Sequence, residues 1–118
     1  MPKIFEVVDP IIYEKFVTDL NRIAGETGLI IDKNVLLSAL SAADYYSESK
    51  DKISCIIRGL IKNHPFSNGN KRTACLAFLL LAKAGNFHMK FTKKELKNAI
   101  VDIAQNNYSI DEITDILF

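Results

Sequence analysis

Apolar residues in this chain recur three and four positions apart, and short breaker pairs divide the runs. No stretch alternates apolar with polar residues as a half-buried strand would. That spacing predicts an all-α fold: a bundle of about six helices around a buried central helix, with little or no sheet. Asp9-Pro10 opens the first helix, Asp as a cap and Pro at the first helical position. Ile12, Phe16, Leu20 and Ile23 then mark one face, until Gly25 and Gly28 stop the run. Asp32 caps a second helix carrying Val35, Leu36, Ala39, Leu40 and Ala43, and the polar stretch Asp44 to Asp51 reads as a connection. A third helix runs from Ile53 to Asn63. His64 closes it, because Pro65 disfavours helical geometry in the residue before it.

The segment from Gly69 or Asn70 to Ala84 is apolar nearly all round. Such a helix belongs at the centre of a bundle. Gly85-Asn86 ends it, and Phe87 to Phe91 reads as a short extended piece. Thr92-Lys-Lys-Glu95 and Ser109-Ile-Asp-Glu112 are capping boxes. The first opens a helix to about Gln105, broken by Asn106-Asn107, and the second opens the terminal helix.

The length of 118 residues suits one domain over residues 1–118. A net charge of +1 gives no global field towards nucleic acid or an anionic membrane, so any anion site must be local. The same balance, with no basic recognition helix, argues against DNA binding by the chain itself. Cys55 and Cys75 lie in apolar stretches without a Cys-x-x-Cys pattern. They read as buried free thiols of a cytoplasmic protein. Ile4, Glu6 and Asp9 interrupt any signal-peptide pattern, and the apolar run Ala74 to Ala82 falls short of the ~20 residues a membrane helix needs.

The chemistry concentrates between Asn63 and Thr73. Gly69 and Asn70 tolerate a tight turn. The amides opening the next helix have no partner inside it, and the helix dipole adds positive potential there, which suits phosphate. Lys71 and Arg72 add two fixed charges, Arg with a planar fork. At the other lip, a neutral His64 imidazole can take a proton from a hydroxyl. Phe66 anchors the loop into the core. One base, a nest of amides and two cations suit phosphoryl or nucleotidyl transfer, where positioning and electrostatics carry most of the catalysis.

The nine residues His64-Pro-Phe-Ser-Asn-Gly-Asn-Lys-Arg72 resemble the Fic/Doc superfamily motif, and fit the form of its death-on-curing (Doc) branch at every fixed position. The resemblance implies that His64 deprotonates a hydroxyl of a target protein and that Gly69, Asn70, Lys71 and Arg72 bind nucleotide phosphates. Lys71 stands where the wider Fic pattern has glycine. In the Doc branch this goes with reversed ATP binding and with phosphorylation rather than adenylylation. The implied protein is a Doc-like toxin of a bacterial toxin–antitoxin pair. It would move the γ-phosphate of ATP to a Ser or Thr of a target such as a translation elongation factor, with Mg²⁺ as the accompanying metal and a small antitoxin protein as partner. Two departures stand out. Asn68 replaces the usual acidic Mg²⁺ ligand and brings no charge, and Cys75 replaces the last Fic arginine. No in-chain inhibitory motif of the Ser/Thr-x-x-x-Glu-Gly/Asn kind is found. A target-holding flap is placed, by chain order alone, at Ala43 to Lys52 with Tyr45 and Tyr46.

Plainer readings stand beside these. Outside the motif, His64 would be a helix-end residue, Asn68-Gly69-Asn70 a turn, and Lys71-Arg72 a solvated pair. Tyr45-Tyr46 reads equally as a half-buried pair. Arg58 and Lys62 are either solvated or an extension of the basic mouth. His88 and Lys93-Lys94 carry no motif. Adenylyl transfer on the same fold, and a catalytically weak or dead protein that only docks a partner, remain the competing functions.

Overall fold

The structure, a computed structural model, describes residues 10–118; the Asp9 cap and the N-terminal residues before it lie outside the described residues. Six helices follow one another among the described residues: α1 Pro10–Ile23, α2 Lys33–Ala42, α3 Ser49–Lys62, α4 Asn70–Ala84, α5 Lys93–Gln105 and α6 Ile110–Leu117. The fold is all-α. The only strand-like pairing among the described residues is a single antiparallel bridge between Ile30 and Phe66.

The local start signals act as their chemistry requires. The Asp32 carboxylate accepts from the amides of Asn34 and Val35 and starts α2. Thr92 with Glu95, and Ser109 with Glu112, form complete reciprocal capping boxes at α5 and α6. At the end of α4 it is Asn86, at φ 58°, that takes the left-handed turn, while Gly85 stays right-handed. Phe87 to Phe91 forms no strand.

The central helix is α3, not α4. It packs against α2, α4, α5 and α6 and against the 3₁₀ turn Ala43–Tyr45. Nine of its residues from Lys52 to Ile61 are buried. Its approach to α2 is especially close. Gly59 faces Ala39 of α2 so tightly that a Cβ on it would lie 2.6 Å from the Ala39 methyl. The buried Lys52 is satisfied by the Ala43 carbonyl at 3.4 Å and the Asp44 carboxylate at 3.7 Å. Thr114 of α6 hydrogen-bonds both Asp51 and Ser54 of α3 at 2.8 Å. The outer apolar face of α4 stays partly open, and Leu80 is exposed.

Helix α3 also starts earlier than its apolar residues suggest, at Ser49, so only the 3₁₀ turn and three further residues connect it to α2. The buried face of α1 is Val17, Leu20 and Asn21, with Tyr13 and Phe16 packed against the core; Ile12 and Ile23 are exposed. The core joins side chains from all six helices, with Phe66 and Phe78 its largest fully buried members. No helix among the described residues is long and apolar enough to cross a membrane.

Candidate active site

The loop between α3 and α4 is held from inside and from outside. Helix α3 ends at Lys62, and Asn63 closes it through its amide on the Gly59 carbonyl. His64 follows with φ 46°, a left-handed conformation that non-glycine residues rarely adopt. Pro65 directly after it already disfavours the right-handed helical region at His64. Pro65 and Phe66 then turn into the core, Phe66 with 1% exposure, while His64, Ser67 and Asn68 remain at the surface.

Asn70 closes the loop on itself. Its side-chain oxygen accepts from the Phe66 amide and its side-chain nitrogen donates to the Phe66 carbonyl, both at 3.0 Å. From outside, the segment Leu29 to Ile31 lies along the loop. The Ile31 amide donates to the Pro65 carbonyl at 2.8 Å and the Ser67 amide to the Leu29 carbonyl at 3.1 Å. A third tie comes from α1. The Asn21 side chain donates to the Asn68 carbonyl at 2.9 Å and to the Thr73 hydroxyl at 3.1 Å, and accepts from the Gly28 amide at 3.0 Å.

These ties fix how α4 begins. Gly69 is its N-cap at φ 74°, and no side chain caps the helix. The first helical bond runs from the Thr73 amide to the Gly69 carbonyl at 2.8 Å. The amides of Asn70, Lys71 and Arg72 therefore have no partner within α4, and they carry the positive end of its dipole. Glycine is required at 69 on two counts: the positive φ, and the Glu26 side chain, whose Cγ a Cβ would meet at 2.6 Å.

Of the two cations, Lys71 is exposed. The Arg72 guanidinium donates to the Ala24 carbonyl at 3.0 Å and forms an ion pair with Glu26. Both cations edge a groove of about 520 Å³ between α1, α4 and α5, walled by Cys75, Leu76 and Leu96 with Lys97 on its far rim. Burial pushes the Cys75 thiol up, with Lys97 opposing, so it is a neutral thiol at pH 7. His64 is not among the residues lining this groove. The structure thus gathers Gly69, Asn70, Lys71 and Arg72 at one helix start, and leaves His64 exposed at the opposite end of the loop.

Tyr45 lies on the 3₁₀ turn with 91% exposure, and Tyr46 packs partly against the core. The extended segment that pairs with the loop is Leu29 to Ile31. Lys62 neither extends the basic mouth nor lies free in solvent. Its ammonium donates to the carbonyls of Ala104 at 3.0 Å and Asn106 at 2.6 Å, tying α3 to the end of α5. Cys55 is buried, and His88, Lys93 and Lys94 are at the surface.

Asn21, Thr73, Glu26 and the segment Leu29 to Ile31 were not distinguished by the sequence pattern. One signal for Asn21 existed: it stands four residues after Val17, a polar side chain on the buried face of α1. As for metal, the loop offers the neutral amide of Asn68. Among the described residues no group of three His, Cys, Asp or Glu could hold an ion. These donors do not make a dedicated metal site.

The arrangement can receive an anion at the start of α4 and presents an imidazole one loop-length away. The family model described as Fic/DOC family matches residues 17–82, from within α1 into α4. No curated protein matches the chain.

Proposed function

The chain belongs to the Fic/DOC family, whose members are typically transferases acting on proteins, and from that premise we propose that it transfers the γ-phosphate of ATP to a Ser or Thr hydroxyl of a target protein. The observation that carries this reading is the uncapped start of α4 at Gly69 with Lys71 and Arg72 in its first turn. Phosphate oxygens accept from the free amides, and the two side chains balance their charge. Lys71 supports phosphoryl over adenylyl transfer, because it is the residue that separates the Doc form of the motif from the wider Fic form. Cys75, where the Fic pattern has its last arginine, leans the same way.

In this mechanism His64 takes the proton of the target hydroxyl. The hydroxyl oxygen forms a bond to the γ-phosphorus, the bond from that phosphorus to the β–γ bridging oxygen breaks, and ADP leaves. Mg²⁺ would arrive with ATP, since Asn68 alone offers a single uncharged oxygen. A small antitoxin protein and a translation elongation factor are the partner and target that this reading assigns, in the cytoplasm where ATP is available.

The test is to incubate the purified chain with cell lysate and ATP labelled at either the α or the γ position, with and without Mg²⁺. Label transferred to protein from the γ position only is expected. Transfer from the α position only would replace this reading with adenylyl transfer. No transfer from either, with growth arrest on expression that survives His64→Ala, would leave a docking protein.

A further inference from the structure

Asn21 has 1% exposure, yet all of its side-chain hydrogen-bonding partners belong to one functional region. Its two donated bonds go to the Asn68 carbonyl and the Thr73 hydroxyl, on either side of Gly69. The bond it accepts comes from Gly28, where the segment that pairs with Pro65 and Ser67 begins. A buried amide is retained only when its polar atoms are paired, and here the pairing is complete within three segments of chain. A residue that merely filled the α1 face would serve better as leucine. Removing the amide would strand the Gly28 amide, the Asn68 carbonyl and the Thr73 hydroxyl, and no group elsewhere in the core.

We propose that Asn21 is a positioning residue for the turn that opens α4: it sets the direction of the Gly69, Asn70 and Lys71 amides by holding the carbonyl before Gly69 and the hydroxyl one turn beyond it. The mechanism is rigid placement. With the Asn68 carbonyl fixed, the peptide leading into Gly69 cannot rotate, and the following amides keep a common orientation. The Gly28 bond locks the outer segment to the same side chain, so the loop is clamped on both faces from one point. That the amides so placed bind phosphate rests on the function proposed above; that Asn21 places them does not.

Two variants of the full chain test this, Asn21→Leu and Asn21→Ser, the second keeping a small polar group in case the first does not fold. Both are expected to retain the wild-type helical circular dichroism. In ¹H–¹⁵N spectra the Gly69, Asn70 and Lys71 amides should shift or broaden. Exchange at the Ser67 and Ile31 amides should accelerate, while α5 and α6 are unchanged. ATP affinity should fall about tenfold, the scale of one lost buried hydrogen bond. A distal core variant, Ile103→Val, should lower the melting temperature and leave ATP affinity alone. The proposal is overturned if the loop resonances of Asn21→Ser overlay those of wild type, or if Ile103→Val weakens ATP equally. A wild-type chain that binds no ATP sinks the functional reading instead, and the loop resonances then decide for Asn21 by themselves.

Discussion

Glu26 and Arg72, 46 positions apart in the chain, form an ion pair at the start of α4, with the Glu26 side chain lying against the Cα of Gly69. The carboxylate takes up part of the guanidinium fork that a phosphate would use. Replacing Glu26 with Gln keeps the volume and removes the competing charge. Because the Arg72 side chain is 60% exposed, the pair is worth at most about 1 kcal/mol. Titration calorimetry should therefore show Glu26→Gln binding ATP up to about fivefold more tightly than wild type. Unchanged or weaker binding would mean that phosphate does not compete for Arg72.

The His64 side chain is exposed and makes no hydrogen bond or ion pair among the described residues. His64→Ala should leave the melting temperature and ATP affinity near wild type. It should slow protein labelling about 10²- to 10⁴-fold, the range for loss of a general base. Growth arrest on expression, if the chain causes it, should vanish in the same variant. Labelling at the wild-type rate would remove His64 from the mechanism.

A change of side chain separates the hold of Asn70 on Phe66 from the phosphate contact proposed for it. Asn70→Ala strands both the amide and the carbonyl of Phe66 and should cost about 1–3 kcal/mol in urea unfolding. Asn70→Asp still accepts from the Phe66 amide but cannot donate, and it places a negative charge in the first turn of α4. It should lose ATP affinity out of proportion to its loss of stability. Equal loss in both properties for both variants would argue that Asn70 serves the fold alone.

The capping box of α5 predicts an acid-sensitive end. Hydrogen bonds from the Thr92 backbone and side chain hold the Glu95 carboxyl below its usual range. A lowered native pKa means the unfolded chain takes up the proton first. The contribution is present above the ordinary carboxylate pKa and is lost as pH falls through the lowered one. The melting-temperature advantage of wild type over Glu95→Gln should be largest near neutral pH and shrink as the solution is acidified through and below the ordinary carboxylate range. A gap that widens in acid would contradict this.

The starts of α2, α5 and α6 were legible because each is a short-range hydrogen bond written into three or four consecutive residues; the start of α3, which no side chain caps, was not. Asp32, Thr92–Glu95 and Ser109–Glu112 needed no knowledge of the rest of the chain. The motif from His64 to Arg72 was legible for the same reason, since turn, helix start and cations are adjacent in sequence. The apolar face of α1 was misread where Ile12 and Ile23 were counted in, because periodicity reports which residues can share a face and not which face is covered.

By itself, then, the sequence determined the six helices, the caps of α2, α5 and α6 and the residue pattern of the loop that joins α3 to α4, all matters of neighbours along the chain. Only the tertiary structure decided that α3 occupies the centre, where it packs against α2, α4, α5 and α6. It alone decided that Asn21, Glu26 and Leu29 to Ile31 reach the loop from far earlier in the chain. Those choices depend on which surfaces meet after the helices have formed, and a polar residue destined for such a meeting looks in sequence like any other on its helix or turn.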